Sequence, residues 1–149
     1  MNVHDPMLPD KTNTVIQWNC RGLKSNFEEL ALILNQYNPV AVCLQETFLK
    51  LSDKIKVKNF TFTNKVFTNA DRACGGVSIM VNNKTPHRVI PLNTRLQATA
   101  VRISLKKTFT LCSLYLPPSF QFDRNDLDSL IAQLPTPFVL TGDLNAHST

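Results

Sequence analysis

The residue types in this sequence that could do chemistry stand at the ends of short apolar runs. The stretch Thr141-Gly142-Asp143-Leu144-Asn145-Ala146-His147 follows Phe138-Val139-Leu140, which reads as a buried strand. On a continuing extended backbone Asp143, Asn145 and His147 project to one side, Leu144 and Ala146 to the other. Taken alone the heptapeptide is a Gly-, Asp- and Asn-rich turn closing a core strand. Three other run ends shift that weight: Asn19 closes TVIQWN, Gln45-Glu46 follows VAVCL, and Tyr115 lies near the end of FTLCSLYL. In open α/β sheets ligands bind at the carboxyl ends of strands. Two carboxylates, Glu46 and Asp143, with amides and a phenol suit magnesium-assisted phosphoryl chemistry, in which a hard cation takes one or two carboxylates, waters and substrate oxygens. Each residue also has a structural explanation of its own: a turn Asn, an exposed strand-end Glu, a core Tyr with a satisfied hydroxyl. His147, with no evident carboxylate partner, is not assigned to the set.

These ends need elements to carry them. Residues 14–19 are β-branched and aromatic and predict a first strand, turning through Cys20, Arg21 and Gly22. Ser25 with Glu28 forms a capping-box pattern. Phe27, Leu30, Ala31, Leu34 and Tyr37 then recur at helical spacing until Asn38-Pro39. Residues 40–44 are a continuous apolar run, so strand, helix and strand predict a crossover between neighbouring parallel strands. Lysines 50, 54, 56 and 58 gather in a loop, read as solvated surface with phosphate contact as the alternative. Residues 60–67 and 77–81 predict two strands joined through Asn69-Ala70-Asp71, and residues 82–86 form the next turn. Residues 96–105 alternate along a strand, Lys106-Lys107-Thr108 reverses the chain, and residues 109–116 predict its antiparallel partner, ended by Pro117-Pro118. Leu127, Leu130, Ile131 and Leu134 predict a second helix over 123–134, with Pro135 and Pro137 flanking the turn into the last strand.

The 149 residues suit one domain over 14–149 behind a flexible, polar leader over 1–13, and 43% hydrophobic residues can fill its core. Sixteen Lys and Arg against eleven Asp and Glu give a net charge of +5, favouring approach to a polyanion such as nucleic acid. Cys20, Cys43, Cys74 and Cys112 form no C-x-x-C pair, which excludes a zinc-ribbon pattern and fits a reduced, intracellular setting. No apolar run is long enough to span a bilayer, and residues 1–13 lack the apolar core of a secretory signal.

Five blocks in order, Gln17-Trp18-Asn19 with Arg21-Gly22, Leu44-Gln45-Glu46-Thr47, Gly75-Gly76-Val77, Tyr115-Leu116-Pro117-Pro118 and Gly142-Asp143-Leu144-Asn145-Ala146-His147, resemble the endonuclease/exonuclease/phosphatase superfamily. Their wording looks most like the endonuclease domain that opens non-LTR retrotransposon polyproteins. The resemblance implies a four-layer α/β sandwich and a Mg²⁺ cofactor, with Mn²⁺ as the substitute. It implies Glu46 as the main metal ligand with Asn19 beside it, and Tyr115 on the scissile phosphate. It also implies Asp143 orienting or deprotonating the attacking water and Asn145 positioning the phosphate. The implied partners are a DNA substrate, nicked for insertion in the nucleus, and element RNA through the rest of a polyprotein, with no membrane. The family carries further Asp residues and a Ser-Asp-His block later than Thr149. The expectation is therefore an incomplete second sheet, an unpaired edge and an isolated chain without activity. The alternatives are a noncatalytic nucleic-acid-binding remnant, or a relative acting on abasic DNA, RNA or phospholipid head groups.

Overall fold

The structure, a computed structural model, describes residues 13–69 and 72–145. The leader expected over 1–13 lies, but for its last residue, outside the described residues. The chain forms β1 (Val15–Asn19), α1 (Phe27–Tyr37), β2 (Ala41–Gln45), β3 (Phe60–Lys65), β4 (Thr68–Asn69), β5 (Arg72–Ala73), β6 (Val77–Asn82), β7 (His87–Ile90), β8 (Gln97–Ser104), β9 (Thr108–Tyr115), α2 (Arg124–Ala132) and β10 (Phe138–Asp143).

Two four-stranded sheets result, ordered β1-β2-β6-β3 and β10-β9-β8-β7, beside a small β4-β5 ribbon. Each sheet is built in the same way. A parallel pair joined through a helix, β1 with β2 across α1 and β9 with β10 across α2, continues outward into antiparallel strands. The crossover expected from residues 14–44 is therefore present. Side-chain alternation then makes the layers: Ala41 and Cys43 of β2 meet Val101, Ile103 and Leu111 between the sheets. Val42 and Leu44 face Leu30 of α1, while Cys112 and Leu114 of β9 face Leu130 and Leu134 beyond the second sheet. Helix, sheet, sheet and helix form the four-layer sandwich, and β2 is buried along its whole length.

Several local expectations are corrected. The Ser25/Glu28 capping box does not form, because Asn26 takes the cap position. Its side chain makes no cap bond but donates to the carbonyls of Cys20 (2.7 Å) and Gly22 (3.0 Å), pinning the turn that leaves β1. Of the five apolar residues expected to line α1 only Leu30 is buried, and Phe27 and Tyr37 are exposed. On α2, Asp123 and Asp126 do form a reciprocal capping box, but Ile131 of the expected stripe is exposed. The segment between β3 and β6 adds the β4-β5 ribbon, and the turn expected there falls partly on residues 70 and 71, outside the described residues. β7 was not expected from the sequence: it is an edge strand with exposed Arg88 and Val89 and takes its order from β8. Among the described residues, the buried strand expected at Phe138-Val139-Leu140 is instead the edge of its sheet, hydrogen-bonded only to β9, with Val139 50% exposed. All four cysteines are free thiols, three of them buried. Among the described residues no helix is long and apolar enough to cross a membrane.

Candidate active site

The parallel registers bring the strand ends together. Asn19 stands opposite Gln45 at the end of β1 and β2, and Asp143 opposite Tyr115 at the end of β10 and β9. One amide joins the carboxylates at the ends of the two sheets. Asn19 Nδ2 donates to Glu46 Oε1 at 3.1 Å and to Asp143 Oδ2 at 2.8 Å, although Asp143 lies 124 residues further along the chain. Both carboxylates are thus gathered on one nitrogen. The other amide atom, Asn19 Oδ1, is buried without a hydrogen-bond partner. An orphaned acceptor normally costs stability, about 1–3 kcal/mol.

Backbone bonds fix Glu46 in place. Its carbonyl accepts from the Gly22 N–H at 2.7 Å, that of Thr47 accepts from Leu23, and the Thr47 and Phe48 N–H groups donate to Gly76 and Gly75. The residue itself takes φ 51°, left-handed for a side chain with no special tolerance of it. Gly76 matters here because its N–H donates to Gln97 Oε1 at 2.7 Å while φ 90° places it where a Cβ would press on the Thr47 hydroxyl. Behind the cluster Gln45 is fully buried and satisfied, accepting from Gln17 (2.6 Å) and donating to Ser113 (3.0 Å) on the other sheet.

Tyr115 is buried, and its pKa is raised to about 12, first by burial and then by the Glu46 carboxylate, Asp143 and Cys74. The phenol therefore stays a hydrogen-bond donor throughout the ordinary pH range. At the chain's last described residues the expected alternation breaks. β10 ends at Asp143, and Asn145 turns left-handed at φ 42°. Its N–H donates to Asp143 Oδ1 at 3.1 Å and its Nδ2 to the Leu116 carbonyl at 2.9 Å. Asn145 thus braces Asp143 through the backbone rather than sharing its face. His147 lies outside the described residues.

Glu46 and Tyr115 also line a groove of about 510 Å³ with Phe48, Cys74, Gln97 and Phe120. Sequence reasoning missed Gln97, yet a signal existed: the antiparallel pairing expected between 96–105 and 109–116 sets Gln97 opposite Tyr115. Among the described residues no three His, Cys, Asp or Glu side chains gather as a metal cage. Two carboxylates with an orphaned amide oxygen are nevertheless a donor set suited to a hard cation that keeps most of its waters.

Residues 16–149 match the sequence profile of the Endonuclease/Exonuclease/phosphatase family. The chain is 30% identical over 132 residues to the RNA-directed DNA polymerase from mobile element jockey of Drosophila funebris, covering 87% of this chain and 14% of that protein. Its structure is similar to the endonuclease domain of TRAS1, a telomere-specific non-LTR retrotransposon. That match has a TM-score of 0.67 and 21% identity and covers 90% of this chain and 61% of that one. A second similar structure is D. rerio TDP2 complexed with single strand DNA product, with TM-score 0.61, 17% identity, and 93% of this chain on 63% of that one. These likenesses bear out the sandwich, and the chain spans less than two thirds of the length of each of these matches.

Proposed function

The chain belongs to the endonuclease/exonuclease/phosphatase family, and on that premise we propose that it is part of a Mg²⁺-dependent DNA endonuclease of a non-LTR retrotransposon, nicking target DNA by phosphodiester hydrolysis. Similarity to a retrotransposon endonuclease domain supports a nuclease-type role. The observation that carries the reading is the Asn19 amide, which gathers Glu46 and Asp143 while its own oxygen is left buried and unpartnered.

In this reading Glu46 and Asn19 Oδ1 would hold Mg²⁺, with Mn²⁺ as the substitute. When bound, the cation draws negative charge from the scissile phosphate. Tyr115, protonated to about pH 12, donates its phenolic hydrogen bond to a phosphate oxygen. Asp143 accepts a hydrogen bond from the attacking water and takes its proton as the new P–O bond forms and the bond to the leaving oxygen breaks. Asn145, with one N–H on the Leu116 carbonyl, keeps the other for the phosphate. The one histidine among the described residues, His87, opens β7 opposite Ile103, at the other end of β8 from Gln97 and the cluster, and so does not protonate the leaving oxygen. Our proposal is that the 149-residue chain by itself is without measurable activity.

The test is conversion of supercoiled plasmid to nicked circles by this chain and by a form extended with downstream coding sequence. The extended form should nick with Mg²⁺, stop with chelator, and lose about 10²–10³ in rate on Glu46→Gln. DNA binding without nicking by the extended form would favour a noncatalytic remnant instead. Nicking by the 149-residue chain that Glu46→Gln abolishes would overturn the expected inactivity.

A further inference from the structure

The end of the sandwich opposite the cluster is built from three segments stitched together by backbone bonds. The Asn83 N–H donates to the Asn59 carbonyl at 2.8 Å, and the Ser104 N–H donates to the Pro86 carbonyl at 2.9 Å. β7 pairs Arg88 with Arg102 on β8. These links bring Lys58, Lys84, Arg88, Lys106 and Lys107 onto one continuous end of the molecule, all exposed. None of them takes part in an ion pair among the described residues, and no Asp or Glu belongs to residues 57–59, 82–88 or 102–107. Arg102 does not join them, because its guanidinium is spent on the carbonyls of Pro135, Thr136 and Pro137. A notch of about 310 Å³ lies on this end, lined by Pro86, His87, Arg88, Arg102, Ser104 and Thr108, so hydroxyls and a free guanidinium face one opening.

We propose that this end is a second nucleic-acid-binding surface that takes the backbone phosphates of duplex DNA, separate from the candidate active site. Five unpaired cations with two hydroxyls match a string of phosphates. The three segments carry no Phe, Tyr or Trp to stack on bases, so the binding is to the backbone and independent of sequence. Distance separates the two surfaces. Gln97 of β8 pairs with Tyr115 at the cluster, while Ser104 ends the same strand roughly 24 Å away at an ordinary strand rise. A duplex seated at the cluster leaves this end open to another segment. The choice of DNA rests on the endonuclease reading; the surface itself does not.

The experiment is fluorescence anisotropy of a labelled 20-base-pair duplex with the full 149-residue chain in EDTA, which silences hydrolysis, across a range of salt. Wild type should bind unrelated duplex sequences equally. The combined variant Lys84→Gln, Arg88→Gln, Lys106→Gln and Lys107→Gln should melt like wild type, since all four are exposed. Its slope of log affinity against log salt should be shallower by about 3–4, at ~0.9 for each phosphate no longer neutralised. An unchanged slope in the combined variant, or no duplex binding at all, overturns the surface whether or not the extended protein nicks DNA. Binding to an RNA duplex more than about tenfold tighter than to DNA overturns the assignment to DNA.

Discussion

Asn19→Asp keeps the side chain's shape and removes the amide that donates to both Glu46 and Asp143. The amide gives two hydrogen bonds to carboxylates, at 3.1 and 2.8 Å, each worth about 1.5–3 kcal/mol. The substitution loses both and sets a third carboxylate between the other two. At pH 7 without divalent cation, folding stability should fall by about 3–6 kcal/mol. At roughly 2–4 °C per kcal/mol for a chain of this length, the melting midpoint drops by about 6–24 °C. Two conditions should return most of the loss. Crowding by its two neighbours favours the neutral form of the introduced carboxyl, so the penalty is full at neutral pH and shrinks as falling pH protonates it. Magnesium should act in the same direction, because a hard cation replaces the missing donor. The assay is thermal melting at pH 4.5 and 7, with 10 mM MgCl₂ or NaCl of matched ionic strength. Wild type itself should gain about 1.4 kcal/mol from Mg²⁺ if its Kd is about 1 mM. A metal-free variant as stable as wild type refutes the bridging amide. A loss that neither acid nor Mg²⁺ relieves refutes the crowded carboxylates.

Gly142→Ala should destabilise the chain by about 3 kcal/mol or more in urea melts and weaken Mg²⁺ binding, because a Cβ at φ 153° would run into the Leu114 carbonyl and push β10, with Asp143, off β9; a neutral substitution would mean that β10 does not pair as described. Of the chain's two tyrosines, Tyr115 should be the one that titrates late in ultraviolet absorbance, near pH 12, with the late step gone in Tyr115→Phe. The unfolded chain releases that proton near pH 10, so the associated stability is full below about pH 10 and disappears as pH rises toward 12; a pH–stability curve identical in wild type and Tyr115→Phe across that window would contradict the burial of the phenol.

Much of the fold was legible because doubly covered strands read as apolar runs. β2 and β9 are such strands, and their ends mark the cluster without reference to long-range contacts. Strands whose order is imposed by a neighbour were less legible. β7 presents two exposed residues of its four, and only its pairing with β8 makes it a strand. β10 looks like a core strand in sequence, yet its apolar residues meet α2 on one side and solvent at the sheet edge on the other. The capping box failed for a comparable reason: Asn26 is used by the turn before the helix, and a three-residue spacing cannot report that. At the site, residue types at run ends named Asn19, Glu46, Tyr115, Asp143 and Asn145. The orphaned Asn19 oxygen and the Gln97 bond to Gly76 depend on partners brought together only by the sheets.

The cluster is held unequally by its two halves. Arg21, Glu46 and Phe48 all adopt left-handed backbone, which costs about 1–2 kcal/mol at each such residue. That strain persists because four backbone bonds among residues 22–23, 46–48 and 75–76 over-determine the loop, beside a strand paired on both sides. Asp143 has no such support. It ends an edge strand and is braced by Asn145 and by its carbonyl's acceptance of the Leu116 N–H at 2.9 Å. The Glu46 arm should therefore open only with the whole domain, and the Asp143 arm should open first, since edge strands with little covering them sit at the low end of local stability. Hydrogen exchange gives the comparison directly. Amides of residues 139–143 should exchange at least tenfold faster than those of 42–46, and Mg²⁺ should slow the faster set if Asn19 joins both arms through the cation site. Equal protection of the two strands would mean that the seam between the sheets is as rigid as the core, and that the preorganisation at Glu46 extends to Asp143.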